Sequence, residues 1–206
     1  MKLSILIGLA LPTVLSFANT VKAENPAHVK RLLETKQCQG CDLSQADLLG
    51  ADLSKADLRG ANLSGAKLGG ANLFNANLSN TKLNNANLIN ANLFEANVAS
   101  ADLTNADLSK ANLSSINLSG ANLKGANLSN TNLGVANLID ANLSHANLSG
   151  ANLIDANLSG ASLHQANLVG TNLNETIAGE TNLAGNMEIN RFERIGGRRL
   201  RRYSAR

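Results

Sequence analysis

The sequence predicts an all-β solenoid, a coil of short extended pieces and turns wound on itself. Three observations predict it. From Cys41 to Gly185 the chain repeats one five-residue word 29 times without an insertion or a deletion. With the Leu of that word as position i, Leu stands there in 27 repeats (Val98 and Ala178 are the exceptions) and Ala stands at i−2 in 22. Position i+2 is Gly or Asn in 16 repeats, the two residues that tolerate a positive φ most readily. A period of five suits neither ordinary element. On an α-helix it advances about 140° per repeat, so successive Leu side chains would wrap the whole cylinder. On a flat strand an odd period sends them to alternate faces. A short extended piece from i−2 to i, with both end side chains inward, followed by a turn, satisfies the pattern. One repeat cannot hide its Leu, worth about 2 kcal/mol when buried, but stacked coils can.

The other elements follow in chain order. Residues 1–23 read as a secretory signal peptide, with Lys2 as the positive n-region, Leu3 to Phe17 as the apolar h-region and Val21-Lys22-Ala23 as the cleavage site. The rival reading is a membrane anchor. An apolar run of about 15 residues interrupted by Pro12 falls short of the ~20 that span a bilayer. Cleavage would start the mature chain at Glu24 and place it, soluble, outside the cytoplasm. Residues 24–40 are expected to form a lid on the solenoid. Asn25 is a good N-cap and Pro26 a good first residue for a helix over about Pro26 to Lys36. Val29, Leu32 and Leu33 give it a short apolar face. An open solenoid end exposes Leu side chains and unpaired strand edges, and such a helix would cover them.

Cys38-Gln39-Gly40-Cys41 joins the lid to the repeats. In an exported chain a disulfide is the default reading. Cys41 falls at an i−2 position and points into the first coil, while Cys38 is assigned to the lid, so a bond would clamp the two. Free thiols and a redox or metal centre are the rival readings. A haem attachment site needs His at 42, where Asp stands, and two Cys leave a zinc tetrahedron half filled. A thioredoxin-like centre wants a βαβ context, and none is present.

Residues 186–206 leave the word. Seven Arg against Glu188 and Glu193 give this segment a net charge of +5. Met187, Ile189, Phe192 and Ile195 are spaced to cover the last coil, and Gly196-Gly197 begins a basic tail. Two readings stand side by side: a solvated end, and a polybasic contact of Arg198, Arg199, Arg201 and Arg202 with anionic lipid or another acidic surface. Nucleic acid is disfavoured, since Tyr203 is the tail's one aromatic residue beyond Gly197 and no domain positions it.

The word Ala-(Asn/Asp)-Leu-x-x resembles that of the pentapeptide-repeat family, over 145 of the 206 residues. The resemblance implies a right-handed quadrilateral β-helix with four repeats per coil. Residues 20 apart would then stack, and just over seven coils at about 4.8 Å each would make a rod about 35 Å long. The stretch Leu32 to Ser44 is also similar to the segment leading into the repeats of exported cyanobacterial members. It puts forward the periplasm or the thylakoid lumen as the compartment.

That register maps the outer surface. Position i−1 is Asn in 19 repeats and Asp in six, with Asp42, Asp47, Asp52 and Asp57 around the first coil and Asp102 and Asp107 near the middle. Stacked Asn residues can bond along the rod. Some cytoplasmic members of the family imitate B-form DNA and bind DNA gyrase. The repeat body here carries 11 acidic and 6 basic residues, whereas DNA carries a charge every ~1.7 Å, on the order of 20 over this length. DNA mimicry is disfavoured by that deficit and by the signal peptide. Phe74 and Phe94 should stack as outward neighbours, with Ile154 and Val135 further along that face and Ile89 on the adjoining one. They read either as a ladder that stiffens the coil or as a protein-docking patch. His145 and His164 should sit diagonally on neighbouring coils with no carboxylate beside them, which reads as incidental.

No nucleophile with a base, paired acid or cofactor motif stands out, so the chain is expected not to be an enzyme and to hold no cofactor. The leading reading is an exported structural or protein-interaction scaffold whose protein partner the sequence does not name. A membrane-surface adaptor acting through the Arg-rich tail is the alternative. A redox or metal-binding protein built on Cys38 and Cys41, and a gyrase-binding DNA mimic, rank below it.

Overall fold

In the computed structural model, residues 25–185 are described. The expected signal peptide, residues 1–23, and the tail with Arg198, Arg199, Arg201 and Arg202 lie outside them.

Each five-residue word folds as one bridged residue at i−1 and a two-residue turn at i+1 and i+2. The bridges are parallel and join residues 20 apart, so four repeats make one circuit. Four ladders run side by side. Ladder A runs from Asp42 to Asn182, ladder B from Asp47 to Asn167, ladder C from Asp52 to Asn172 and ladder D from Gln37 to Ile177. The chain visits them in the order A, B, C, D.

The hydrogen bonds explain why the word is spelled as it is. Four of the five N–H groups in a repeat find carbonyl partners. In the coil around Asn72, the i N–H of Leu73 donates to Asn92 O (2.7 Å), and that of i−1, Asn72, to Ala51 O (2.9 Å). The i+2 amide of Asn75 donates to Phe94 O (3.0 Å), and Ala76 N–H closes the turn onto Leu73 O (3.0 Å). The remaining amide, at i+1, is taken by the side chain at i−1: Phe74 N–H donates to Asn72 Oδ1 at 3.3 Å. A buried or half-buried amide left without an acceptor costs on the order of 1–3 kcal/mol. Asn or Asp at i−1 in 25 of 29 repeats is thus a backbone requirement as well as a surface feature.

The turn sets the other rule. All 29 residues at i+2 have positive φ, although 19 of them are not Gly. The Leu and Ala side chains fill the interior: Leu at i and Ala at i−2 are buried along nearly the whole length. Thr81 and Thr131 replace Ala there by donating their hydroxyls to Leu78 O and Leu128 O, each at 2.7 Å. At the C-terminal end no further coil of the described residues stacks on the last one, and Leu168, Leu173 and Leu183 are only partly buried.

The register begins one repeat before the sequence boundary at Cys41. Lys36 to Gly40 already forms a bridge at Gln37 with Asp57 and a turn with Gly40 at φ +64°. Cys38 takes the Leu position and is fully buried. It therefore belongs to the first coil, not to the preceding helix. The Cys38–Cys41 disulfide joins two consecutive inward positions, with the Cα atoms 5.2 Å apart.

One helix, α1 (Pro26–Thr35), precedes the coil. Asn25 caps it, accepting from Ala27 N–H at 3.2 Å, and Pro26 opens it without wasting a donor. Lys36, left-handed at φ 58°, ends it. Leu32 is fully buried and Val29 packs partly against the core, but Leu33 is 48% exposed. The expected apolar face is narrower by that residue, because α1 meets the coil along Val29 and Leu32. Among the described residues no helix is long and apolar enough to cross a membrane.

Candidate functional site

The outer surface is a set of side-chain columns, because i−1 and i+1 both point away from the Leu and Ala interior. Their chemistry starts with the Asn at i−1. Its Oδ1 accepts the i+1 amide of its own repeat. Its Nδ2 donates to the residue 20 earlier: Asn92 to Asn72 Oδ1 (3.1 Å), Asn112 to Asn92 Oδ1 (3.2 Å), Asn117 to Asn97 Oδ1 (3.1 Å). The amides thus all point towards the N-terminal end. An Asp accepts but cannot donate, so it fits where no acceptor lies beneath. Asn62 donates to Asp42 (3.2 Å) and Asn72 to Asp52 (3.3 Å) at the feet of ladders A and C. Asp102, stacked on Lys82, restarts ladder A by accepting from Asn122 (3.3 Å). This polarity accounts for Asp42 and Asp52 at the feet of their ladders and for Asp102, while Asp57 over Gln37 and Asp107 over Asn87 lie outside it.

Phe74 and Phe94 stand at i+1 of ladder C on successive coils. Their rings stack with centroids 6.0 Å apart and planes 9° apart. Each covers part of its neighbour, and both are half-buried rather than fully exposed. The strongly exposed apolar side chains are others: Leu33, Leu49, Val135, Val169 and Ile177. Leu49 belongs beside the Phe pair, on ladder B. It lies over Gly69, where an added Cβ would come within 3.1 Å of Leu49 Cδ2. Ile89 is half-buried on the same ladder. Val135 lies further along, in the same turn from ladder C to ladder D that carries the Phe pair two coils earlier, one residue on from the Phe column. Ile177 escaped sequence reasoning, although its outward i−1 position, where Asn is usual, was the signal available.

His145 and His164 do meet, edge to face, with ring centroids 5.7 Å apart. His164 Nδ1 lies 2.8 Å from Ala184 O and is its hydrogen-bond donor. Among the described residues no group of three or more His, Cys, Asp or Glu could hold a metal ion, and the two Cys are joined to each other.

At the N-terminal end a third His acts on the backbone. Among the described residues no coil precedes Asp42, and its N–H donates to Nδ1 of His28 on α1 at 3.0 Å. Lys36 Nζ, from the end of the same segment, donates to Asp52 O. Ladder D carries the tightest ion pair: Arg59 Nη2 donates to Asp57 Oδ2 at 2.6 Å and Nε to Oδ1 at 2.8 Å. The Arg59 hydrogen bonds, with Gln39 Nε2 at 2.6 Å, hold the Asp57 carboxyl down to about 2 against a smaller desolvation cost. Asp52 is lowered too, chiefly by hydrogen bonds from Ser54.

Comparison with known proteins places this surface in a family. A family profile described as pentapeptide repeats, in eight copies, matches residues 37–73, 71–109, 99–134 and 136–185. HetL, a pentapeptide repeat protein involved in heterocyst differentiation regulation in the cyanobacterium Nostoc sp. strain PCC 7120, is 34% identical. That match covers 71% of this chain and 82% of HetL, with a TM-score of 0.31. A pentapeptide repeat protein of the Arabidopsis thaliana thylakoid lumen is 35% identical over 50% of this chain and 66% of its own, with a TM-score of 0.28. QnrB1, a plasmid-mediated fluoroquinolone resistance protein, is 20% identical over 72% of this chain and 75% of its own. Its TM-score of 0.53 speaks for the fold alone, a right-handed β-helix solenoid. Among curated proteins none matches. With the family profile matched from residue 37 to residue 185, the chain belongs to the pentapeptide-repeat family.

Proposed function

We propose that this protein is an exported, non-enzymatic scaffold that binds another protein through its outer surface. The observation that carries the reading is the division of labour between the two sides of the coil. The interior is filled by Leu and Ala from end to end, whereas the exterior is a rigid array of side chains at fixed spacing. Ligand sites are usually concave, and a closed coil offers a convex surface suited to a macromolecular partner. The four ladders fit a quadrilateral cross-section. Helix α1 acts as a lid, supported by buried Leu32 and by His28 on the Asp42 edge amide.

The docking patch is the Phe74–Phe94 stack, with Leu49 and Ile89 on the adjoining ladder. Replacing both aromatics, Phe74→Ser and Phe94→Ser, is expected to keep the fold and to abolish capture of the partner by crosslinking in the native host. Unchanged crosslinks would remove the patch. Localisation in that experiment also tests export. The thylakoid-lumen relative and the disulfide support a compartment outside the cytoplasm, periplasm or lumen.

A second reading, a membrane-surface adaptor, rests on the Arg198, Arg199, Arg201 and Arg202 cluster. It predicts salt-sensitive binding to anionic vesicles that disappears when residues 197–206 are deleted. The modest charge of the repeat body, 11 acidic against 6 basic residues, argues against a DNA-mimicking gyrase binder.

A further inference from the structure

The C-terminal third of the coil carries a second outward surface, unlike the Phe patch in every respect. It lies along ladder D, where Asn137, Asn157 and Ile177 stack on successive coils. Both edges of this strip are acidic. The turn entering ladder D brings Asp155 and Glu175, and the turn leaving it brings Asp140 and Glu180. All four are exposed, and among the described residues none makes an ion pair with Lys, Arg or His. After Lys124 the chain has no Lys or Arg until Arg191, so nothing on the coil balances them.

Between the acids Ile139 and Ile177 stand among Asn137, Asn157, Ser159 and Gly179, and Val135 heads the column of Asp155 and Glu175; the apolar residues come at a cost to the fold. Ile177 stands at i−1, 54% exposed, where an Asn would have accepted the Gly179 amide. Val135 is 62% exposed and sits at φ 59°, a left-handed backbone that a β-branched residue adopts only under strain. Ile139 lies half-buried beside them. Val135 at i+2 and Ile177 at i−1 depart from the residues usual at those positions, and local strain of the kind at Val135 gathers at functional surfaces. Gly179 and Gly160 leave the strip flat, since an added Cβ at Gly179 would meet nothing closer than Ser159 Oγ at 3.7 Å.

We infer that this strip is a docking site for the protein's own C-terminal segment, residues 186–206. The match is in charge and in pattern. The segment sets Met187, Ile189, Phe192 and Ile195 among Glu188, Arg191, Glu193 and Arg194, and its net +5 comes from the five Arg between Arg198 and Arg206; these complement a strip that carries Ile139 and Ile177 and is edged by four acids. Reach is ample. The segment leaves the coil at Gly185 in the same last circuit as Glu175 and Glu180. Its 21 residues extend up to about 70 Å, several times the width of one coil. An extended segment can lie across the coil with Arg side chains over the acidic turns and its apolar residues on Val135, Ile139 and Ile177. Held there, the Arg cluster is not free for an anionic membrane, so docking also regulates the adaptor reading.

The test is limited trypsin digestion of the full chain, which reads access to Arg191 and Arg194 directly. The docked segment is cut slowly at low salt and faster at 0.5 M salt. The variant Asp140→Asn, Asp155→Asn, Glu175→Gln and Glu180→Gln should be cut about tenfold faster at low salt and like wild type at high salt. A second variant, Ile177→Asn, restores the repeat's usual residue and should also speed cutting while leaving the thermal unfolding midpoint no lower. Equal cutting rates in wild type and both variants would overturn the inference. So would protection that grows with protein concentration, which assigns the strip to the segment of a second copy. Loss of protection on adding anionic vesicles, absent with neutral ones, is the expected sign of competition for the Arg cluster.

Discussion

At Val135 the repeat's turn meets the side chain least suited to it. Every i+2 residue must adopt positive φ, which costs an L-residue roughly 1–2 kcal/mol and a β-branched one the most. Val135→Asn is therefore expected to raise stability by about 1 kcal/mol, read as a higher thermal midpoint. No such gain is expected at Asn130, which already has the tolerant residue at φ 56°. Asp57 gives a residue-scale prediction in pH. Its folded carboxyl titrates at about 2, below the ordinary value, because Arg59 hydrogen-bonds the charged form. A lowered carboxylate stabilises the fold above its ordinary value and loses that contribution as pH falls from about 4 to about 2. Arg59 is more than half exposed, so solvent screening leaves only a small part of it. Urea unfolding of Arg59→Ala should show that deficit near neutral pH and converge with wild type near pH 2.

At the scale of the element, the Asn ladder has a direction, and this makes Asn and Asp unequal by position. Asn97→Asp keeps the acceptor for the Ala99 amide and for Asn117 but removes the donor to Asn77. It also buries a charge partly within the column. A loss of about 1–2 kcal/mol is expected. Asp52→Asn, at the foot of ladder C, gives up no donor and should be near neutral. Equal midpoints for the two variants would show that the ladder carries no polarity. The Leu and Ala period was legible because both positions are inward in nearly every repeat, and burial leaves its mark on composition. The first repeat was not, since Lys36 to Gly40 spells none of the word; Cys38 fills the Leu site as a small apolar residue tied to Cys41. The reason for Asp42 and Asp52 in the first coil was hidden for another cause. The clustering of Asp could be read from the sequence, but the direction in which the amides donate exists only once coils are stacked. Leu33 was misjudged because a helix of ten residues is too short for its apolar spacing to fix which side faces the coil.

For the whole molecule, the two ends decide whether a solenoid stays single, because every coil between them is paired on both sides. At the C-terminal end of the described residues Leu168, Leu173 and Leu183 are only partly buried. At the N-terminal end, α1 sets His28 Nδ1 against the Asp42 amide and buries Leu32, the two contacts on which the proposed lid role rests. Edge groups without such cover are templates for another chain. The proposed lid role thus predicts that a chain beginning at Lys36 associates through its bare first coil. Light scattering after gel filtration should show larger species whose proportion rises with concentration, while the circular dichroism of the coil is kept. The single change His28→Ala is the graded form of the same experiment. It removes the His28 acceptor of the Asp42 amide, at a cost of about 1–3 kcal/mol to the first coil, yet keeps the Leu32 contact. Hydrogen exchange at the Asp42 amide should then accelerate at least tenfold with no change at Asn122. If the truncated chain stays monomeric at every concentration, α1 is a packed leader and not a lid, and the first coil must be protected by its own Asp side chains.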